Sequence, residues 1–306
     1  MRKRFVVLGA CLAVFTPFGA AVSAAESCSS LYDEINSAGE NLTADQLKAY
    51  YRRSLETGDC TDAFKKALGR RVAVAVVRAV DETIASGQPA ASQEAALEES
   101  LTFHRLWQVL AVLGDIAHER QDFNSAARRY QQSLETLADR ELTKSEPSGS
   151  TISALFKKAE TSRLLAPRYV PAPTNSAGAL SGLAAANLRG FVPAKVAVPV
   201  IFTPNTPKIA AEGRRTVAAM INALTQQGSP DVLLVGHTAS LVADPDSELL
   251  SEQRAHAVRQ VMMDAGYGGA VQVQGLGARQ PFDPDTSSRY TKEQRDQMNS
   301  RMELHR

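Results

Sequence analysis

The feature that most constrains this chain lies between Val232 and Ala265, where a short strand leads into a helix whose apolar stripe carries a permanent cation. Val232-Leu233-Leu234-Val235 is apolar without alternation, which is how a buried strand reads. The run stops at Gly236, a loop follows, and a helix is expected from Ser247 or Glu248. On that helix Leu250, Arg254, Val258, Val261 and Ala265 share one face at spacings of three and four. A guanidinium on such a face costs free energy unless an anion meets it there. The anion comes either from the chain or from a ligand. Within the chain the candidates are Asp244, Asp246 and Glu248, in the acidic loop just before the helix.

Five ordered segments then carry a resemblance. They are Ile201-Phe202 with Asn205-Thr206 and Ile209; Val235-Gly236-His237-Thr238; Leu250-Ser251 with Arg254-Ala255 and Val258; Gly275 with Gly277; and Asn299 with Arg301-Met302-Glu303-Leu304. Together they resemble the OmpA-like C-terminal domain family, over roughly the last third of the chain. The resemblance implies a small α/β sandwich, helices on a mixed sheet, that binds peptidoglycan non-covalently. It further implies a site in which an Asp takes the ammonium, and an Arg on the next helix the carboxylate, of diaminopimelate in the stem peptide. Arg254 stands at the Arg position, with Asn205, Thr206 and Thr238 lining the groove, but Ala239 occupies the Asp position. Losing a charge-assisted hydrogen bond costs about 1.5–3 kcal/mol, so weaker binding or an altered preference is expected unless Asp244, Asp246 or Glu248 substitutes. By the same resemblance Gly275-x-Gly277 belongs to a turn, not to a nucleotide loop.

The N-terminus has the three parts of a secretory signal over residues 1–24: Arg2-Lys3-Arg4, an apolar run Phe5–Phe15, and Val22-Ser23-Ala24 before a cleavage point. An uncleaved anchor is the alternative, since no charge falls between Arg4 and Glu26; Pro17 and Gly19 favour cleavage. Removal of the three cations takes the formal charge from +1 to −2, leaving no basic surplus for nucleic acid. No later stretch is apolar enough to span a membrane or alternates like a barrel, so no stable membrane insertion is expected after cleavage. Cleavage also leaves two cysteines, Cys28 and Cys60, which an exported protein would join as a disulfide; a metal pair lacks partner ligands at useful spacing.

Residues 25–140 read as a helical hairpin array. Leu110, Leu113, Gly114 and Ala117, then Phe123, Ala126, Tyr130 and Leu134, resemble a tetratricopeptide unit, with Gly114 and Ala126 at the close approach of its two helices. A looser copy runs from Leu47 and Tyr50 through Gly58-Asp59-Cys60 to Ala63 and Leu68. Such an array implies a protein partner; a plain helical bundle is the alternative. Residues 141–192 read as a linker with a capping helix over Ile152–Leu165, an extended stretch punctuated by Pro167, Pro171 and Pro173, and a small-residue run over Ala177–Asn187. Residues 193–306 then follow as strand, helix, strand, helix, strand and strand, with Val196, Val198, Val200 and Phe202 on the first and helices on one side of the sheet.

The fold class is therefore α+β, a helical array followed by an OmpA-like sandwich. No Ser-His-Asp or Cys-His order, zinc spacing or cofactor motif stands out, so no catalytic activity is expected. The signal segment and the resemblance together imply a periplasmic protein associated with the cell wall. The competing reading is an interaction scaffold whose OmpA-like domain has lost peptidoglycan binding while the helical region recruits a partner.

Overall fold

A computed structural model describes residues 27–39, 42–145, 147–166, 190–239, 245–284 and 289–306. The signal segment 1–24, the proline-punctuated stretch from Pro167, the Ala177–Asn187 run and Asp244 lie outside these.

Seven α-helices come first among the described residues: α1 Cys28–Ala38, α2 Ala44–Glu56, α3 Asp62–Ala85, α4 Glu94–Phe103, α5 Trp107–Glu119, α6 Phe123–Ala138 and α7 Gly149–Leu165. Their starts are written locally. Ser27, Thr61, Asp122 and Ser148 each accept a backbone N–H two or three residues into their helix, and Thr43 with Gln46 forms a full capping box on α2. Leu31, Leu47, Leu68, Val72, Val76, Leu97, Leu113 and Ile116 make one core joining α1 to α5. Gly114 is where α5 and α6 touch: a Cβ there would lie 2.6 Å from the Tyr130 ring, and Ala126 is fully buried opposite. Asp59 does not cap α3; its carboxylate accepts the Cys28 N–H at 2.9 Å, while Thr61 caps the helix. This places Asp59 beside the Cys28–Cys60 disulfide, whose Cα atoms are 5.0 Å apart.

The C-terminal region holds β1 Lys195–Val198, α8 Ala211–Gln226, β2 Val232–His237, α9 Pro245–Asp264, β3 Val271–Gly277, α10 Lys292–Asn299 and β4 Met302–His305. The sheet order is β1-β4-β2-β3, with β4 antiparallel to both neighbours and β2 parallel to β3. The expected long first strand is cut short. It ends at Val198 because Pro199 cannot donate to a ladder, and Phe202 instead bridges Ile209 across a tight loop. α10 is an addition to the expected order of elements, and Asn299 is its last residue. On α9 the buried row is Ser251, Arg254, Ala255, Val258 and Met262, whereas Ala265 lies beyond the helix and is exposed.

The two faces of the sheet are covered differently. Val198, Leu234, Met302 and Leu304 share a core with Met220, Leu224, Val258 and Met262 of α8 and α9. Helices were expected on that side alone. On the opposite face Ala197 packs with Leu164 and Leu165 of α7 and Met298 of α10, and Glu160 of α7 accepts the Ala197 N–H at 2.6 Å. The α7 helix also joins α6 through Leu134, Leu137, Ile152 and Leu155, so it belongs to both regions.

Closing the loop between Cys28 and Cys60 should stabilise the helical region by about 3–4 kcal/mol. Replacing both cysteines by serine is expected to move its urea midpoint down accordingly; an unshifted midpoint would contradict this.

Candidate functional site

The site forms where α9 lies against the ends of β2 and β3. The approach is closer than side chains allow: a Cβ on Gly236 would fall 2.1 Å from the Ser251 carbonyl oxygen, and one on Gly275 2.5 Å from that of Glu248. Gly275 and Gly277 therefore sit within β3 as a bed for the helix, not in a turn. Ser251, wholly buried, locks the contact by donating from Oγ to Glu248 O at 2.8 Å and accepting the Gly277 N–H at 2.9 Å.

One helical turn beyond Ser251 comes Arg254, 8% exposed. Its guanidinium carbon stands 4.9 Å above the Phe202 ring centroid, and its Nε donates to the Thr206 carbonyl at 3.1 Å. Among the described residues no carboxylate lies within 4.0 Å of it and its terminal nitrogens make no hydrogen bond. Burial lowers its pKa, without bringing it near deprotonation at ordinary pH. The Thr206 carbonyl is held in place by the 203–208 loop. There the Thr203 N–H donates to Lys208 O at 2.8 Å, the Thr206 hydroxyl to Thr203 O at 3.1 Å, and Asn205 adopts φ 55, a left-handed backbone that asparagine tolerates.

The structure brings Arg254, Thr206 and Phe202 together, with Asn205 exposed on the adjoining turn. Thr238 is buried at the end of β2; its N–H donates to Gly277 O at 3.0 Å, and its hydroxyl has no partner among the described residues. Of the acids read as substitutes, Glu248 is paired with Arg279, whose Nε and Nη2 reach its two oxygens. Asp246 is exposed in the first turn of α9. Sequence reasoning missed both Arg279 as the partner of Glu248 and Phe202 as the platform for Arg254. The spacing of Phe202 to the Asn205-Thr206 loop was the available signal for the second.

Behind the site, on the α7 face of the sheet, sits a buried charge network. Glu303 receives Arg301 Nε at 3.0 Å and Nη2 at 2.7 Å and bonds His305 Nε2 at 3.0 Å, with His237 Nε2 3.6 Å away. Burial alone would raise the Glu303 pKa, but His237, Arg301 and His305 outweigh it and hold the carboxyl far below its usual range. Burial lowers the His237 pKa, with Glu303 opposing. His118 and His104, in the helical region, are also lowered chiefly by burial. His118 joins the two regions, bonding Ser162 at 2.8 Å and Tyr290 at 2.9 Å. His256 is half exposed, 3.9 Å from Glu252. Among the described residues no cluster of three or more His, Cys, Asp or Glu could hold a metal, and no helix is long and apolar enough to cross a membrane.

Two outcomes follow. Gly236→Ala should weaken the C-terminal domain by several degrees in melting temperature, because the new methyl meets backbone rather than a movable side chain; an unchanged melt would refute the close contact. The three histidines bind protons more readily unfolded than folded. Their stabilisation is therefore intact above pH about 6.5 and lost as pH falls below it, while that of Glu303 persists until well below pH about 4.5. Glu160, raised by burial, works in the opposite sense. Melting temperature should fall between pH 7 and pH 5, and a flat profile would contradict these shifts.

Comparison with known proteins supports the family resemblance. The OmpA family model matches residues 201–295. Among solved structures, the chain matches the OmpA-like domain of FopA1 from Francisella tularensis (19% identity, 36% of this chain and 69% of that one, TM-score 0.29). It is likewise similar to a putative MotB-like protein from Desulfovibrio vulgaris (23% identity, 36% and 70%, TM-score 0.30). A third is the cell wall anchor of the T6SS from Pseudomonas aeruginosa (20% identity, 36% and 76%, TM-score 0.29). Comparison with curated protein sequences returns no match.

Proposed function

We propose, with the OmpA-family match over residues 201–295 as premise, that the C-terminal region of this chain binds peptidoglycan non-covalently in the periplasm. The observation that carries this is Arg254. It is nearly buried, stacked on Phe202 and fixed through Nε by Thr206, yet its two terminal nitrogens have no carboxylate among the described residues. A guanidinium held by its inner nitrogen presents its outer edge as a fork for one carboxylate. The carboxylate of a diaminopimelate side chain in the stem peptide is the group the reading assigns to it. Asn205 and Thr206 offer the polar rim along which the peptide would lie, and Thr238 supports the end of β2 beneath it.

The ammonium end of the same side chain has no counterpart at Ala239, and Glu248 is occupied by Arg279. Affinity lower than that of a complete clamp follows from this. The same two facts are what favour the second reading, a scaffold that has ceased to bind the wall. Neither reading assigns the chain a catalytic step.

Mature protein should co-sediment with diaminopimelate-type sacculi, and Arg254→Lys, which keeps the charge but not the fork, should reduce retention more than tenfold at unchanged melting temperature. Ala239→Asp should raise affinity about tenfold. Failure of the unsubstituted protein to sediment would decide for the scaffold; equal retention of the Lys variant would remove Arg254 from the site.

A further inference from the structure

Helix α3 is apolar on two sides. Leu68, Val72, Val76 and Val80 enter the core of the helical region. A second row, Arg70, Val74, Val77, Asp81 and Ile84, advances by alternating steps of four and three, lying roughly 140° further round the helix. These five line a trough of about 340 Å³ on the α3 side, and Leu106, Trp107, Val112 and Leu142 line it from α5 and the flanking loops. Val74 is 42% exposed, and Val77, Ile84, Leu106, Trp107 and Val112 are half-buried, so the trough is apolar and open. Arg70 and Asp81 make no ion pair or hydrogen bond among the described residues. Helical rise sets them about 16 Å apart along α3, one charge near each end of the apolar row.

We infer that this trough receives an amphipathic α-helix of a protein partner, about three turns long, with an acidic side chain meeting Arg70 and a basic one meeting Asp81. Heptad-like steps are the spacing at which the knobs of a second helix find holes. An extended peptide is disfavoured, because the trough is lined mainly by helices whose backbone groups are satisfied internally and offer no strand edge. A fatty acyl chain could place its head group on Arg70 but would leave Asp81 facing hydrocarbon without a partner. The two opposite charges bracketing the apolar row are what select the helix. This surface lies in the helical region and is independent of the peptidoglycan reading.

Trp107 is the only tryptophan of the chain and lines the trough, so its fluorescence reports occupancy. The probes are three synthetic helices with one leucine stripe and different residues flanking it: Glu and Lys, Glu at both ends, and Lys at both ends. Titrated into the mature chain, the Glu/Lys helix should bind about fivefold more tightly than either other. Arg70→Glu should transfer the preference to the Lys/Lys helix. Val77→Asp, with far-UV circular dichroism unchanged, should abolish the response to all three. Equal affinity for the three probes, or no binding of any, overturns the inference. So does saturation of the Trp107 signal by dodecanoate without peptide binding, which would make the trough an acyl site. Concentration-dependent dimerisation lost in Val77→Asp would instead assign it to a second copy of the chain.

Discussion

The C-terminal architecture depends on how closely the backbone of α9 can approach the strands beneath it. Gly236 and Gly275 remove the side chains that would hold the helix off, and Ser251 ties it to Gly277. That approach fixes the height of Arg254 above the sheet, and hence its meeting with Phe202 and the Thr206 carbonyl. A helix seated on ordinary side chains would stand further from the sheet and carry the guanidinium away from the loop. The position of one cation is thus set by two absent methyl groups.

On the other face of the sheet the problem is reversed, because charge is buried rather than withheld. Glu303 lies among Arg301, His305, His237 and Lys195, and the pKa of the nearby Glu160 carboxyl is raised chiefly by burial, with a smaller contribution from Glu303. Ion pairs of this kind seldom add much net stability over apolar packing, but breaking one leaves an uncompensated charge. The network is confined to β1, β2, β4 and the residue before β4, and α7 meets this face through the Glu160 bond to the Ala197 N–H instead. Only the margin of the network reaches water, through Lys195 on β1 and His305 on β4, which are partly exposed while Glu303 between them is buried.

Much of this was legible in the chain. The stripes Leu110–Ala117 and Ala126–Leu134 gave α5 and α6, and the pairing of Cys28 with Cys60 followed from reading residues 1–24 as a cleaved signal, which leaves two cysteines. The second face of the sheet was not legible. Residues Lys292–Asn299 carry one large apolar side chain, Met298, so α10 has almost no periodic signal; its capping box at Thr291 and Gln294 was the clue passed over. The first strand was overextended because period-two alternation continued through Pro199, which a ladder cannot accept. In the site, Arg254 was recognisable because a guanidinium on an apolar stripe is costly. Its aromatic platform and the capture of Glu248 by Arg279 were not, since both depend on where loops distant in sequence come to rest.

The α7 helix contributes Ile152 and Leu155 to one core and Leu164 and Leu165 to another. It behaves as a shared beam rather than a tether. A pull applied to the hairpins reaches the sheet through packed side chains, with Gln297 grasping the Leu164 carbonyl and Lys158 bracing Asp115 on α5. The helical region and the sheet thus meet through one helix whose two ends are buried in different cores, so a substitution along α7 is felt on both sides of it.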